Sequence, residues 1–163
     1  MIKNLKLKHY FLLIFLVSVF SLLSAIYIEF ILNQKPCKLC IYQRIPYVFA
    51  IFISFLGISS KNKYAWLFLI FLTFVFSSLI SGYHFGIENN IFEEFSGCTN
   101  PNIDLLDKSK IIESLNNNLP NCKEVNFKIF GFSLATINLF ISVIISLYTL
   151  KLLINEKNRS KQT

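Results

Sequence analysis

Four apolar runs constrain this chain more than any other feature of its sequence. They are Tyr10–Ile28, nineteen residues without a charge, then Ile45–Ser60, Tyr64–Tyr83 and about Ile129–Leu150. A helix rises about 1.5 Å per residue, so roughly 20 apolar residues cross the hydrocarbon of a bilayer. The second run is short at sixteen residues, and its upper turns should include part of Cys40–Arg44. The expected fold class is all-α, an integral membrane four-helix bundle with two external loops, which the cysteines below mark as redox loops. One domain covers residues 1–163, with spans at about 10–30, 43–60, 64–84 and 129–150 and loops at about 31–42 and 85–128. Composition agrees: 54 % of the 163 residues are hydrophobic and only 15 % are charged, against about 25 % in soluble domains. That balance argues against a disordered chain, a coiled coil or a small water-soluble enzyme.

The first run follows Lys3, Lys6 and Lys8, as a signal peptide would. It is longer than the usual apolar region of one, and no A-x-A-like site follows it, so it reads as a retained span. Basic residues near the spans set orientation. The two tails and the link between runs two and three carry nine Lys and Arg against one acid, Glu156. The opposite side has Lys35, Lys38 and Arg44 in its short segment, and a net charge of −4 over His84–Asn126. Both termini are therefore predicted cytoplasmic. The net charge of +7 then faces the inner leaflet, which leaves nucleic-acid binding the poorer reading.

All four cysteines, Cys37, Cys40, Cys98 and Cys122, fall in the two external segments. Disulfides persist outside the reducing cytosol, and a 37–40 and 98–122 pairing is the natural first guess among three connectivities. Cys37-Lys38-Leu39-Cys40 is a C-x-x-C, whose thiols often ionise readily. A bridge of purely structural purpose gains more from a longer loop, so 98–122 could be a staple where 37–40 reads as reactive. Zinc is disfavoured, because Cys98 and Cys122 do not form a second tight pair. Arg44 lies four residues after Cys40, where its guanidinium would favour a thiolate; the bland alternative is an interfacial arginine. Pro46 places the start of the regular helix near Gln43–Ile45, with Cys40 just before its positive end.

A membrane dithiol that turns over needs an electron acceptor. Ile41 follows Cys40, so no C-x-x-C-H haem motif exists. The two histidines, His9 and His84, lie on opposite sides of the membrane, and no G-x-G-x-x-G is present. Two redox pairs leave no cysteine for an iron–sulfur cluster. A lipid-soluble quinone remains, reaching Cys40 at the outer edge of the bilayer where Arg44 and His84 could face it.

The block Pro36-Cys37-Lys38-Leu39-Cys40-Ile41-Tyr42-Gln43-Arg44 resembles the disulfide bond formation protein B (DsbB) family. So do Gly82-Tyr83-His84-Phe85-Gly86-Ile87-Glu88, the placement of Cys98 and Cys122, and Phe130-Gly131-Phe132-Ser133-Leu134-Ala135-Thr136-Ile137-Asn138. The resemblance implies a protein of the bacterial inner membrane with its redox loops in the periplasm. A reduced DsbA-type thioredoxin-fold partner would attack the 98–122 disulfide at Cys98, releasing Cys122 to exchange with the 37–40 pair. The Cys37/Cys40 dithiol would then reduce a quinone (ubiquinone or menaquinone) from the membrane pool, with Cys40 nearest the ring, Arg44 stabilising its thiolate and the quinone oxygen, and His84 close by. Gln43 departs from an acid found in some members. Rival readings are a vitamin K epoxide reductase-like thiol–quinone enzyme, disfavoured by a C-x-x-C between spans one and two, and a non-enzymatic membrane protein braced by structural disulfides.

Glu29, at the outer end of span one, reads as a water-contacting interfacial carboxylate or as a proton relay. His84 and Glu88 would pair on a continued helix. Asp104–Leu115 reads as an amphipathic segment on the bilayer or a packed loop helix, and Asn116–Asn118 with Pro120 as flexible chain.

Overall fold

The structure is a computed structural model that describes residues 2–93, 122–123, 128–129 and 131–160. Helix α1 spans Ile2–Phe30, α2 Lys38–Tyr42, α3 Ile45–Ser59, α4 Lys63–Glu88 and α5 Leu134–Ser160. The α2–α3 segment, with α1, α4 and α5, gives four helical stretches long and apolar enough to cross a membrane. Cys98, the Asp104–Leu115 segment and the Asn116–Pro120 stretch lie outside the described residues.

Local chemistry sets the helix ends. Asn62 caps α4 by accepting from the Ala65 N–H, and Pro46 occupies the first turn of α3, where its missing N–H leaves no intrahelical bond unmade. At the other end of α3, the Lys63 ammonium donates to the carbonyls of Gly57 and Ile58 at 2.7 and 2.8 Å, as a cation should at a helix C-terminus. Helix α4 ends in a Schellman turn: Asn90 sits at φ 58° while Ile91 N–H reaches Gly86 C=O and Asn90 N–H reaches Ile87 C=O.

Two differences from the sequence reading stand out. Cys40 lies inside the short helix α2, with a turn at Gln43–Arg44 before α3, because Pro36 precedes the cysteines and Pro46 follows them. The fourth long helix begins at Leu134 rather than near 129. Residues Lys128–Ile129 (β1) and Phe132–Ser133 (β2) form a two-residue antiparallel ladder, turned through Gly131 at φ +85°.

Helix α1 packs on α3, α3 on α4, and α4 on α5. Tyr10 Oη and Thr149 Oγ1, 2.5 Å apart, tie α1 to α5. The core comprises Leu7, Tyr10, Phe11, Ile14, Tyr47, Ala50, Leu67, Ile70, Phe74, Ile145 and Leu153. Large apolar side chains such as Phe20, Phe55, Leu79 and Ile144 point outward, while Ser77, Ser81, Ser142 and Thr149 are buried. Lipid solvates the outer side chains, and small polar residues let helices approach and hydrogen-bond. This is a multi-pass membrane protein.

Candidate functional site

A second, smaller buried cluster crowns the bundle: Cys37, Leu39, Ile87 and Cys122, with Cys40 packed against it. Cys37 is the N-cap of α2, its sulfur accepting from the Cys40 N–H at 3.2 Å. One turn of helix then returns Cys40 to its partner. Both thiols are free, and the Cys37 and Cys40 sulfurs lie 2.8 Å apart, within hydrogen-bond reach of each other. Helix α4 brings the Nε2 of buried His84 to 3.7 Å from Cys37 Sγ. Three polar groups thus meet at one sulfur: the Cys40 N–H, the Cys40 thiol and the His84 ring. The Cys40 thiol contributes most, burial opposes it and His84 adds to it, and together they hold the Cys37 thiol down at about 5.

The sequence reading placed the favoured thiolate on Cys40 beside Arg44. In the structure the polar groups meet at Cys37, and the Arg44 guanidinium is engaged by Glu29, with Nη1 to Oε2 at 2.5 Å. Glu29 is thus paired with Arg44 while both side chains stay partly accessible. The helical pairing of His84 with Glu88 is present, Nε2 to Oε1 at 3.7 Å. Ser133 donates to Glu88 Oε2 and accepts the Thr136 N–H, so one residue caps α5 and holds the acid.

Cys37, Cys40, Arg44, His84 and Glu88 all border one cavity of about 610 Å³, and Cys122 borders it as well. Its other walls are largely apolar: Leu16, Val17 and Phe20 of α1, and Leu134, Ile137 and Ile141 of α5. Cys122 is disulfide-bonded, and Cys37 and Cys40, being free, are not its partner. The structure therefore brings five of the six sequence-singled residues together; the sixth, Cys98, lies outside the described residues. A ring nitrogen of His84 and the two thiol sulfurs lie within 4.8 Å of one another. A thiophilic cation could use such a donor set; here the same atoms bond among themselves.

Sequence reasoning gave no role to Gln43, Tyr47, Asn138 or Ser133. Gln43 Nε2 lies 3.0 Å from His84 Nδ1, and Asn138 Nδ2 donates to Gln43 Oε1 at 3.3 Å and to Ser81 Oγ at 2.7 Å. The Tyr47 hydroxyl donates to Asn138 Oδ1. A signal was present. Ser77, Ser81, His84 and Glu88 fall on one helical face of an apolar run, as do Asn138, Ser142 and Thr149, and polar residues in a span face the bundle interior.

The family model described as "Disulfide bond formation protein DsbB" matches residues 7–152. The chain belongs to the DsbB family. It is 28 % identical over 132 residues to a disulfide bond formation protein B of Xylella fastidiosa (strain Temecula1 / ATCC 700964), covering 76 % of each chain. It is 32 % identical over 81 residues to the SPbeta prophage-derived disulfide bond formation protein B of Bacillus subtilis (strain 168), covering 50 % of this chain and 54 % of that protein. An uncharacterised protein of Rickettsia prowazekii (strain Madrid E) is 29 % identical over 154 residues, 90 % of this chain and 88 % of that one. As a DsbB-family member, the protein is a membrane disulfide bond formation protein, and its family chemistry is that of a disulfide-generating oxidoreductase.

Proposed function

We propose that this protein is a membrane thiol:quinone oxidoreductase that reoxidises a DsbA-type thioredoxin-fold partner, using Cys37, Cys40, Cys98 and Cys122 as two redox pairs. One observation carries the reading: the Cys37/Cys40 dithiol and the disulfide-bonded Cys122 border the same apolar cavity. Its volume suits a small-molecule site, which runs from about 300 to 1,000 Å³. The walls of α1 and α5 suit a ring with an apolar tail. Arg44 brings five N–H donors, of which Glu29 is bonded at Nη1, so donors remain for a quinone oxygen. A bound ubiquinone or menaquinone supplies a sink for two electrons and two protons.

The residues divide the rest of the work. The partner dithiol attacks Cys98, forms a mixed disulfide and releases Cys122 as thiolate; the second partner thiol then resolves the mixed disulfide. The partner leaves oxidised, and Cys98 and Cys122 are reduced. Cys122 packs in the same buried cluster as Cys37, which suits exchange between the pairs. That exchange re-forms the 98–122 disulfide and leaves Cys37 and Cys40 as thiols. Closing the 37–40 disulfide releases two electrons and two protons toward the cavity. A DsbA-type partner lies near −120 mV, and about 30 mV is worth roughly 1.4 kcal/mol for two electrons, so the outer disulfide alone does not sustain the cycle. On this reading both termini are cytoplasmic, the redox loops are periplasmic and the site draws on the quinone pool of the bacterial inner membrane.

Purified protein in detergent, mixed with excess reduced DsbA-type partner and a short-chain quinone, tests the proposal. Catalytic loss of two partner thiols per quinone reduced is expected. Absence of turnover in folded protein across several partners and quinones would sink it.

A further inference from the structure

The hydrogen bonds that end on Cys37 begin at a backbone carbonyl, and every link has a direction. Ser81 Oγ lies 2.8 Å from the Ser77 carbonyl oxygen. A carbonyl only accepts, so the hydroxyl proton of Ser81 is committed there. Toward Asn138, 2.7 Å away, Ser81 can then only accept, and the facing atom of Asn138 is its amide nitrogen Nδ2. The Tyr47 hydroxyl on Asn138 Oδ1 agrees with that orientation. The same Nδ2 donates to Gln43 Oε1. With its oxygen turned to Asn138, Gln43 presents Nε2 to His84 Nδ1 at 3.0 Å. An amide nitrogen only donates, so Nδ1 carries no proton, and the single proton of the neutral ring sits on Nε2. That nitrogen faces Cys37 Sγ and Glu88 Oε1, each 3.7 Å away, and the backbone of Cys122 also bonds to the ring.

We infer that Gln43 and Asn138 are positioning residues for the redox pair, locking His84 in the Nε2–H tautomer so that the ring donates to the Cys37 sulfur. The opposite tautomer would aim a lone pair at that sulfur and oppose a thiolate, the form in which a cysteine attacks. Neither has a hydrogen bond to a sulfur among the described residues, and an asparagine within an apolar span is costly unless it is satisfied. Among the described residues, the titratable groups facing Cys37 are Cys40 from α2 and His84 from α4, with Glu88 behind His84 and toward Cys40. Lys35 and the Arg44–Glu29 pair border the same cavity, and Ser133 and Thr136 at the β2–α5 corner do not titrate in the working range. The inference takes from the proposed function only that Cys37 is a redox thiol, and its test reads no turnover.

The test uses the full-length reduced protein in detergent with ¹⁵N-histidine, in a His9→Gln background so that His84 is the single ring. At a pH where the ring is neutral, Nδ1 is expected as the unprotonated nitrogen and Nε2 as the protonated one. The pH dependence of Cys37 alkylation, read by mass spectrometry, gives the second readout. Gln43→Leu and Asn138→Leu should each mix the tautomers and raise the alkylation midpoint by about one pH unit, a tenfold loss of thiolate at fixed pH below it. Gln43→Glu, whose carboxylate accepts from Asn138 and from Nδ1–H of an imidazolium, which its charge favours, keeps the Nε2–H donor in place and should hold or lower the midpoint. A protonated Nδ1 in the neutral ring of the parent protein overturns the inference without recourse to any variant. So does an unchanged midpoint in Gln43→Leu, or Leu and Glu variants that behave alike.

Discussion

Gly57→Ala tests the close packing of α1 on α3. Gly57 lies on α3 where α1 crosses it, and a Cβ added there would meet the Phe11 ring at 2.7, 2.8 and 3.1 Å from Cε1, Cδ1 and Cζ. Carbon atoms rest at about 3.5–4.0 Å, so the ring must withdraw by about an ångström. Phe11 is fully buried in the main core, and the Lys63 ammonium that caps α3 lies 5.6 Å from its centroid. Overpacking of this kind costs about 1–3 kcal/mol, while replacing a helical glycine by alanine returns about 1 kcal/mol. The net effect in the parent protein is a loss of up to about 2 kcal/mol. In a Phe11→Leu background the ring is gone, and the same change should be neutral or stabilising. The coupling between the two sites is therefore about 1–3 kcal/mol. At about 2–4 °C per kcal/mol for a chain of this size, that is roughly 2–12 °C in Tm, measurable by thermal unfolding in detergent. An identical Tm shift in both backgrounds would refute the close approach of α1 to α3.

Three further outcomes follow from the same geometry. Arg44→Met should raise the KM for quinone several-fold, yet leave thiol exchange between a reduced partner and the outer disulfide unchanged when quinone is absent; stopped-flow exchange and steady-state kinetics separate the two. The Cys37 thiol is held at about 5 in the fold against an ordinary value near 9, so between these values the unfolded chain binds the extra proton. The stability of the reduced protein relative to Cys37→Ser should therefore rise with pH across about 5 to 9 and be lost as pH falls through about 5. A difference that stays flat with pH would count against a thiolate at Cys37. Ser133→Ala removes both the α5 cap and the bond to Glu88, and should lower stability by about 1–2 kcal/mol in chemical denaturation.

The four long helices were legible because a bilayer demands length and apolarity, and both are local properties of the sequence. Helix α1 begins at Ile2, well before its apolar run, since Leu7, Tyr10, Phe11 and Ile14 recur on one face and pack inward from its first turns. The redox pair was legible from spacing alone. The partners around it were not, because they are long-range. Glu29 on α1 and Arg44 in the turn before α3 are 15 residues apart, and Asn138 is 95 residues from Gln43. Spacing says which residues share a helical face, but not which face another helix presents to it. Arg44 was therefore read against its sequence neighbour Cys40, while the fold offers it a carboxylate. The short ladder before α5 was hidden because Ile129–Ser133 is apolar enough to extend the run, and the turn at Gly131 breaks it by backbone geometry.

The central claim is that the Cys37/Cys40 dithiol delivers two electrons to a quinone in the cavity between α1 and α5. A single-turnover experiment tests it most directly. Protein with the inner pair reduced and the outer disulfide intact is mixed under anaerobic conditions with one equivalent of a short-chain quinone, then acid-quenched. Quinol is counted by absorbance and the 37–40 disulfide by mass spectrometry of the peptide. The account predicts one new 37–40 disulfide per quinol formed. Quinol without that disulfide, or a free Cys37/Cys40 dithiol that persists beside unreacted quinone in folded protein, would contradict it.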